Sequence, residues 1–270
     1  MALAIAGAAV FAAQAQAPNP QIKPIVPDAW QGDAYRPKPD LKGIKKIRFI
    51  TDSDYPPFHY YDEVGELTGF NIDLAQPICE VLGVECQIVA TNWSSLIPAI
   101  ETGEADAAIA SIRITAEALK SADFTLRYYA TPARFAARKE SEITDIRPET
   151  IKGLKIGVAK ESGHEAYLKT FFPGAPIAAF DTSEAAQRAL KEGAIDLVFA
   201  DGVSLAFWFN GVESERCCEF RGGPFLDSRF FGEGVGIAVK KGNRNLVQAL
   251  NYALEQVHAR GTYEELFLRY

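Results

Sequence analysis

The sequence predicts an α/β protein of two similar lobes, on three observations. Strand-like and helix-like stretches alternate from Lys46 to the C-terminus, the pattern of sheets with helices on their faces. The order repeats once: Ile100-Glu101-Thr102-Gly103-Glu104-Ala105-Asp106-Ala107 and Leu190-Lys191-Glu192-Gly193-Ala194-Ile195-Asp196-Leu197 both read as helix end, glycine stop, then a buried strand led by Asp. The chain has 270 residues, more than one hydrophobic core needs and enough for two.

Before the first strand, Leu3–Ala13 is a short apolar run followed by the small-x-small pattern Ala15-Gln16-Ala17. This reads as a secretory signal peptide, residues 1–17, although no Lys or Arg precedes the apolar run. An Ala-rich helix is the competing reading. No cysteine follows the cleavage point, so a soluble exported product is expected. Residues 18–43 hold six prolines, at 18, 20, 24, 27, 37 and 39, and read as an extended leader.

The first series of elements begins with a strand near Lys46–Ile50. A helix follows over Phe70–Leu82, with Pro77 as an expected kink. Then come a strand over Val84–Ala90, a helix over Trp93–Thr102, a buried strand over Asp106–Ala110, a short helix over Thr115–Lys120 and a long β-type run over Tyr128–Ala137. The second series has strands at Leu154–Val158, Ile177–Phe180 and Ile195–Ala200. Its helices are Gly163–Phe172 and one ending at Leu190, with Asp181 and Glu184 as a capping box. A Gly-rich loop leads to a strand at Gly234–Val239, a helix over Leu246–Ala259 and a last helix capped by Thr262 and Glu265. Ligands of open α/β sheets bind beyond the carboxyl ends of strands, so the cleft between the lobes is the expected site.

The formal charge of −7 argues against nucleic acid, which requires clustered Lys and Arg. No apolar run of about 18 residues follows the N-terminus, so no transmembrane helix is expected. Four cysteines suit an oxidising compartment. Cys79 and Cys86 stand at a helix end and in the next strand, where a disulfide would tie the two. The adjacent Cys217 and Cys218 have three open fates: a vicinal disulfide, free thiols or intermolecular pairing. His59, His164 and His258 are scattered; no metal spacing, phosphate loop, Ser-His-Asp arrangement or cofactor motif is seen.

Tyr55-Pro56-Pro57-Phe58, then Gly65-Glu66-Leu67-Thr68-Gly69-Phe70-Asn71-Ile72-Asp73-Leu74-Ala75, resembles the pattern of family 3 extracellular solute-binding proteins. Further matches follow in order: Leu96–Ile100, Gly103–Asp106, Ser111–Thr115, Phe124-Thr125, Tyr128-Tyr129, Lys155–Val158, Gly193–Asp196, Ala200-Asp201 and Gly261–Tyr263. The resemblance implies a type II-like periplasmic-binding-protein clamshell. Its first lobe would hold residues 44–131 plus 226–270 and its second lobe 132–225, with hinge crossovers near Tyr129–Ala133 and Gly223–Asp227. It implies a monomeric periplasmic receptor that hands a small polar or amino-acid-like solute to the membrane permease of an ABC importer, without a cofactor. It also implies the Cys79–Cys86 disulfide.

The same resemblance nominates ligand contacts. Asp201 matches the acid that meets an α-amino group, or else is a helix cap. Tyr55 and Trp93 match aromatics over the ligand, or else pack the core. Ser111 matches a hydroxyl or backbone donor. Ser162 falls at a helix start, which suits a carboxylate. Asp52 matches a position that meets cationic side chains, or else is a turn residue; with Asp54, Glu161 and Asp201 it would make the cleft acidic. The family's carboxylate-clamping arginine is replaced by Ala118, and Arg113 is expected to take its place through its planar fork or else to pair with a structural acid. Two further readings are a dehydratase acting on prephenate or arogenate, with Glu161, His164 or Asp201 as the acid, and a ligand-sensing module.

Overall fold

The computed structural model describes residues 39–270. The expected signal peptide and all but the last residues of the proline-rich leader lie outside them.

Two five-stranded sheets are present, and each is built the same way. In the first, the strands lie in the order Glu85–Ala90, Lys46–Thr51, Ala107–Ala108, Ala238–Lys240 and Ala122–Phe124. In the second, the order is Ile177–Phe180, Ile156–Ala159, Leu197–Asp201, Ala133–Arg138 and Cys218–Phe225. The first three strands of each sheet are parallel and the fourth is antiparallel to the third. That fourth strand is where the chain crosses. It leaves the first sheet to enter the second at Ala133 and returns to form Ala238–Lys240, so the lobes are joined by two crossovers.

The repeat seen in the sequence has a local cause. Gly103 and Gly193 both take left-handed backbone (φ +80° and +76°) just past their helices, which favours glycine. The Asp that follows turns back to the neighbouring strand: Asp106 Oδ2 accepts the Arg48 backbone N–H at 2.8 Å, and Asp196 Oδ2 accepts that of Lys155 at 2.7 Å. Each device pins Ala107–Ala108 to Lys46–Thr51, or Leu197–Asp201 to Ile156–Ala159, its parallel neighbour in the sheet.

Side chains alternate across the first strand as its period of two requires. Ile47 and Phe49 face a core shared with helices Phe70–Leu82, Arg244–Ala259 and Thr262–Arg269. Ile50 faces the opposite layer under helix Leu96–Thr102. The second sheet is likewise covered on both faces. Leu168, Phe172 and Phe231 pack on one side; Ala186, Leu190, Leu205 and Trp208 pack on the other. Gly69, between the aromatic turn and the first long helix, has φ +122°, and a Cβ there would lie 2.4 Å from Phe58 O.

Several elements differ from expectation. The expected strand over Tyr128–Ala137 starts only at Ala133, because Tyr128–Pro132 is the crossover. Helix Gly202–Asn210 went unpredicted; Val203–Phe209 is apolar nearly all round and shows no helical period. Strand Cys218–Phe225 reads as a loop because of Gly222-Gly223-Pro224. It lies at the sheet edge with a register break between Arg221 and Phe225, where both Gly and Pro are tolerated. The cap of helix Ser183–Lys191 is Thr182, whose side chain accepts from Ala185 N; Asp181 pairs with Lys160 instead. Thr262 is the first residue of its helix, not its cap. The Phe70–Leu82 helix runs through Pro77. Cys79 is bonded to Cys86 and Cys217 to Cys218.

Candidate functional site

A cleft of about 720 Å³ opens between the two sheets. Its walls come from the carboxyl ends of parallel strands in both lobes. Asp52, Asp54 and Tyr55 follow the first strand, Trp93 the second, and Ala110, Ser111 and Arg113 the third. From the other lobe come His164, Thr182–Glu184, Asp201, Ser204 and Glu213. Six of the seven nominated residues therefore meet here: Asp52, Tyr55, Trp93, Ser111, Arg113 and Asp201.

Ser162 does not line this cleft. Its hydroxyl is occupied twice, donating to Ala159 O at 2.6 Å and accepting Glu165 N at 3.1 Å as the cap of helix Gly163–Phe171. His164, two residues further on, faces the cleft in its stead. Glu161 also lies outside; the acids that join Asp52, Asp54 and Asp201 are Glu184 and Glu213 on the rim.

Asp201 ends the central strand of the second sheet, caps the following helix as one reading of it expects, and lines the cleft. Its Oδ1 accepts the backbone N–H groups of Val203 and Ser204, each at 3.0 Å. Its Oδ2 accepts from the Thr131 hydroxyl in the first crossover and from Arg113 Nη2 at 3.3 Å. Arg113 thus reaches from one lobe to the other. It also forms the wall to a second cavity of about 360 Å³ behind the cleft, where Arg127, Thr131 and Ser228 stand.

Ser111 has a left-handed backbone, φ 55°, and its hydroxyl is the hub of a buried network. Asn71 Nδ2 donates to Oγ at 3.0 Å, and Tyr129 Oη donates at 2.5 Å. His59 Nε2 lies 3.1 Å away. A hydroxyl has one proton and two lone pairs. With two donors already pointing at Oγ, its proton goes to His59 Nε2, which leaves the His59 proton on Nδ1, facing Asp52. The two atoms are 3.0 Å apart, off the line of a hydrogen bond. The Ser111 hydroxyl is thereby used up inside the lobe, and only its backbone remains for a ligand.

Electrostatics divides the floor from the rim. Burial opposes ionisation of Asp52, but the His59 contact outweighs it and holds that carboxyl below the ordinary range. Burial and the adjacent Asp52 push Asp54 up. Tyr55 stacks on Phe58 at 5.2 Å; burial, reinforced by Asp201, holds its phenol protonated well above the ordinary value. Trp93 is 56% exposed and forms the outer lip. The His164 ring packs against Phe199 and Phe231. Burial first, and then the Arg113 charge, push its pKa down to about 3. Its Nε2 is buried without a hydrogen-bond partner among the described residues.

Among the described residues, no helix is long and apolar enough to cross a membrane, and no cluster of His, Cys, Asp or Glu is arranged to hold a metal ion.

Comparison with known proteins fits this geometry. The sequence pattern of bacterial extracellular solute-binding proteins, family 3, matches residues 47–270. The L-arginine-binding protein of Pseudomonas aeruginosa is 33% identical over 234 residues, 86% of this chain and 90% of that protein. The histidine-binding periplasmic protein of Escherichia coli is 32% identical over 230 residues, 84% and 87% of the two chains. A solved structure of an ancestral amino-acid-binding protein, described as a precursor of cyclohexadienyl dehydratase, superposes with a TM-score of 0.69 at 28% identity, covering 85% of this chain and 96% of that one.

Proposed function

From a chain that belongs to the bacterial extracellular solute-binding proteins of family 3, we infer that the cleft is the receptor site for an amino acid with a cationic side chain, captured in the periplasm for an ABC importer. The observation that carries this reading is the composition of the cleft. One arginine, Arg113, faces five carboxyl groups, Asp52, Asp54, Glu184, Asp201 and Glu213. A ligand that brings one carboxylate and two positive charges complements that set.

In this reading each part of the ligand has a place. The α-carboxylate goes to Arg113, whose fork matches it in two bonds, and to the Ser111 backbone. The α-ammonium goes to Asp201 Oδ2. The side chain lies along Tyr55 and Trp93, whose faces suit both apolar stems and cations, and its charge meets the Asp52–Asp54 pair. Because Asp201 and Arg113 belong to different lobes, a ligand that engages both favours the closed form. Closure is the state that a membrane permease reads.

Two of the three acids nominated for dehydration chemistry are unsuited to it. Glu161 lies outside the cleft, and a His164 with a pKa near 3 is neutral and a poor proton donor at neutral pH. The test is a thermal-shift and calorimetric panel of L-arginine, L-lysine, L-histidine, L-glutamine and prephenate on the purified chain. A cationic amino acid at about 100 times its dissociation constant should stabilise by about 2.7 kcal/mol. A response to prephenate alone, with turnover, would replace this reading by the enzymatic one.

A further inference from the structure

We propose that Arg113 is an internal stand-in for the ligand's ammonium at Asp201, and that it filters ligands by rejecting amines that lack an α-carboxylate. The proposal rests on the receptor reading above and adds the basis of its selectivity.

Hydrogen-bond accounting carries it. A carboxylate offers about four acceptor positions. Those of Asp201 are filled by Val203 N, Ser204 N, the Thr131 hydroxyl and Arg113 Nη2. The first two are backbone groups at a helix start, and the third is a short side chain of the crossover; Arg113 is the long side chain that reaches in from the other lobe. A ligand ammonium therefore reaches Asp201 most readily by displacing Arg113. At 3.3 Å the Arg113 bond is the longest of the four, as befits the replaceable one.

What the displaced guanidinium meets then decides the outcome. Arg113 is 28% exposed at its side chain, so water reaches it only in part. Its neighbour His164 is neutral, and Glu184 and Glu213 stand solvated on the rim. An amino acid brings its own carboxylate to Arg113 as its ammonium takes Asp201, so one ion pair becomes two. A plain amine takes Asp201 and leaves a half-buried guanidinium without its anion, which is costly. Arg113 is thus a specificity-determining residue as well as a clamp. The two roles predict opposite effects on the two ligand classes when it is removed.

Calorimetry on the wild-type chain and on Arg113→Ala, with matched pairs differing only in the carboxylate, separates them: L-arginine and agmatine, L-lysine and cadaverine, L-histidine and histamine. For the pair whose amino acid binds, the wild type should prefer that amino acid by on the order of 100-fold. In Arg113→Ala the amino acid should weaken by about tenfold or more, while the amine should tighten by about tenfold, because the competitor for Asp201 is gone. Arg113→Gln, which keeps most of the volume, runs alongside, and the melting temperature of each unliganded variant reports on folding. An amine affinity that is unchanged or weaker in both variants overturns the filter. If no amino acid binds the wild type, the receptor reading fails by itself, and the amine arm still decides: a gain in the variants upholds the stand-in role, no gain removes it.

Discussion

Replacing Asp201 tests the two duties this residue holds, because its two oxygens do different work. Oδ1 caps helix Gly202–Asn210 through two backbone N–H groups, and Oδ2 faces Thr131 and Arg113. Asparagine is as good a helix cap as aspartate, so Asp201→Asn retains Oδ1 and changes only Oδ2, which becomes an NH₂ donor. The Thr131 hydroxyl can turn to accept from it; Arg113 and a ligand ammonium cannot. Asp201→Asn should therefore keep the cap and lose only the Arg113 pair, about 1–3 kcal/mol of unliganded stability, while the affinity for L-arginine falls by about 2–5 kcal/mol, the range for truncating one partner of a desolvated charge pair. Asp201→Ala should lose the same affinity and a further ~1 kcal/mol of stability with the cap. Urea denaturation of the unliganded proteins reads the first quantity and titration calorimetry the second. Equal destabilisation by Asn and Ala would refute the division of labour between the oxygens. Wild-type affinity in Asp201→Asn would refute the ammonium site.

Two further outcomes follow from groups near the site and beneath it. The folded-state pKa of His164, about 3, lies below the ordinary value near 6.5, so the unfolded chain binds this proton more readily. Stability should then fall as pH drops from about 6.5 toward 3, by at most about 1.4 kcal/mol per pH unit from this group; the ring is only partly buried although its Nε2 is shut off. Urea midpoints measured between pH 7 and 4.5 should decline less steeply in His164→Phe than in the wild type, and parallel slopes would contradict the assignment. The Cys79–Cys86 disulfide closes a loop of sequence separation 7, for which chain-entropy arguments give about 2–3 kcal/mol. The Cys79→Ala, Cys86→Ala double variant should lose that amount in urea denaturation, with L-arginine affinity unchanged, since neither residue lines the cleft.

Much of this was legible from the sequence. The alternation of elements and the two-lobe repeat were readable because they depend on local features: a period of two or 3.6, a glycine just past a helix, an Asp at a strand start; the six nominated residues that line the cleft came from the family resemblance carried by short patterns such as Tyr55-Pro56-Pro57-Phe58. Where local features misled, the cause was a competing signal. Gly222-Gly223-Pro224 reads as a loop but sits on an edge strand. Ser162 reads as a ligand contact but caps its own helix. Asp181 reads as a cap, and Thr182 beside it is the cap.

The sequence by itself determined the α/β architecture, the placing of candidate residues after strands and the acidic balance of the chain, all of which are set by residues close together in the chain. Only the tertiary structure decided which of those residues meet. Arg113 and Asp201 are 88 positions apart, and no local pattern tells whether a lone arginine and a lone aspartate face each other or the solvent. The Ser111 hydroxyl, saturated by His59, Asn71 and Tyr129 from three separate segments, and the entry of His164, Glu184 and Glu213 into the cleft are of the same kind. Long-range pairings are fixed by how packed layers come together, and that information is spread over both cores rather than written beside any one residue.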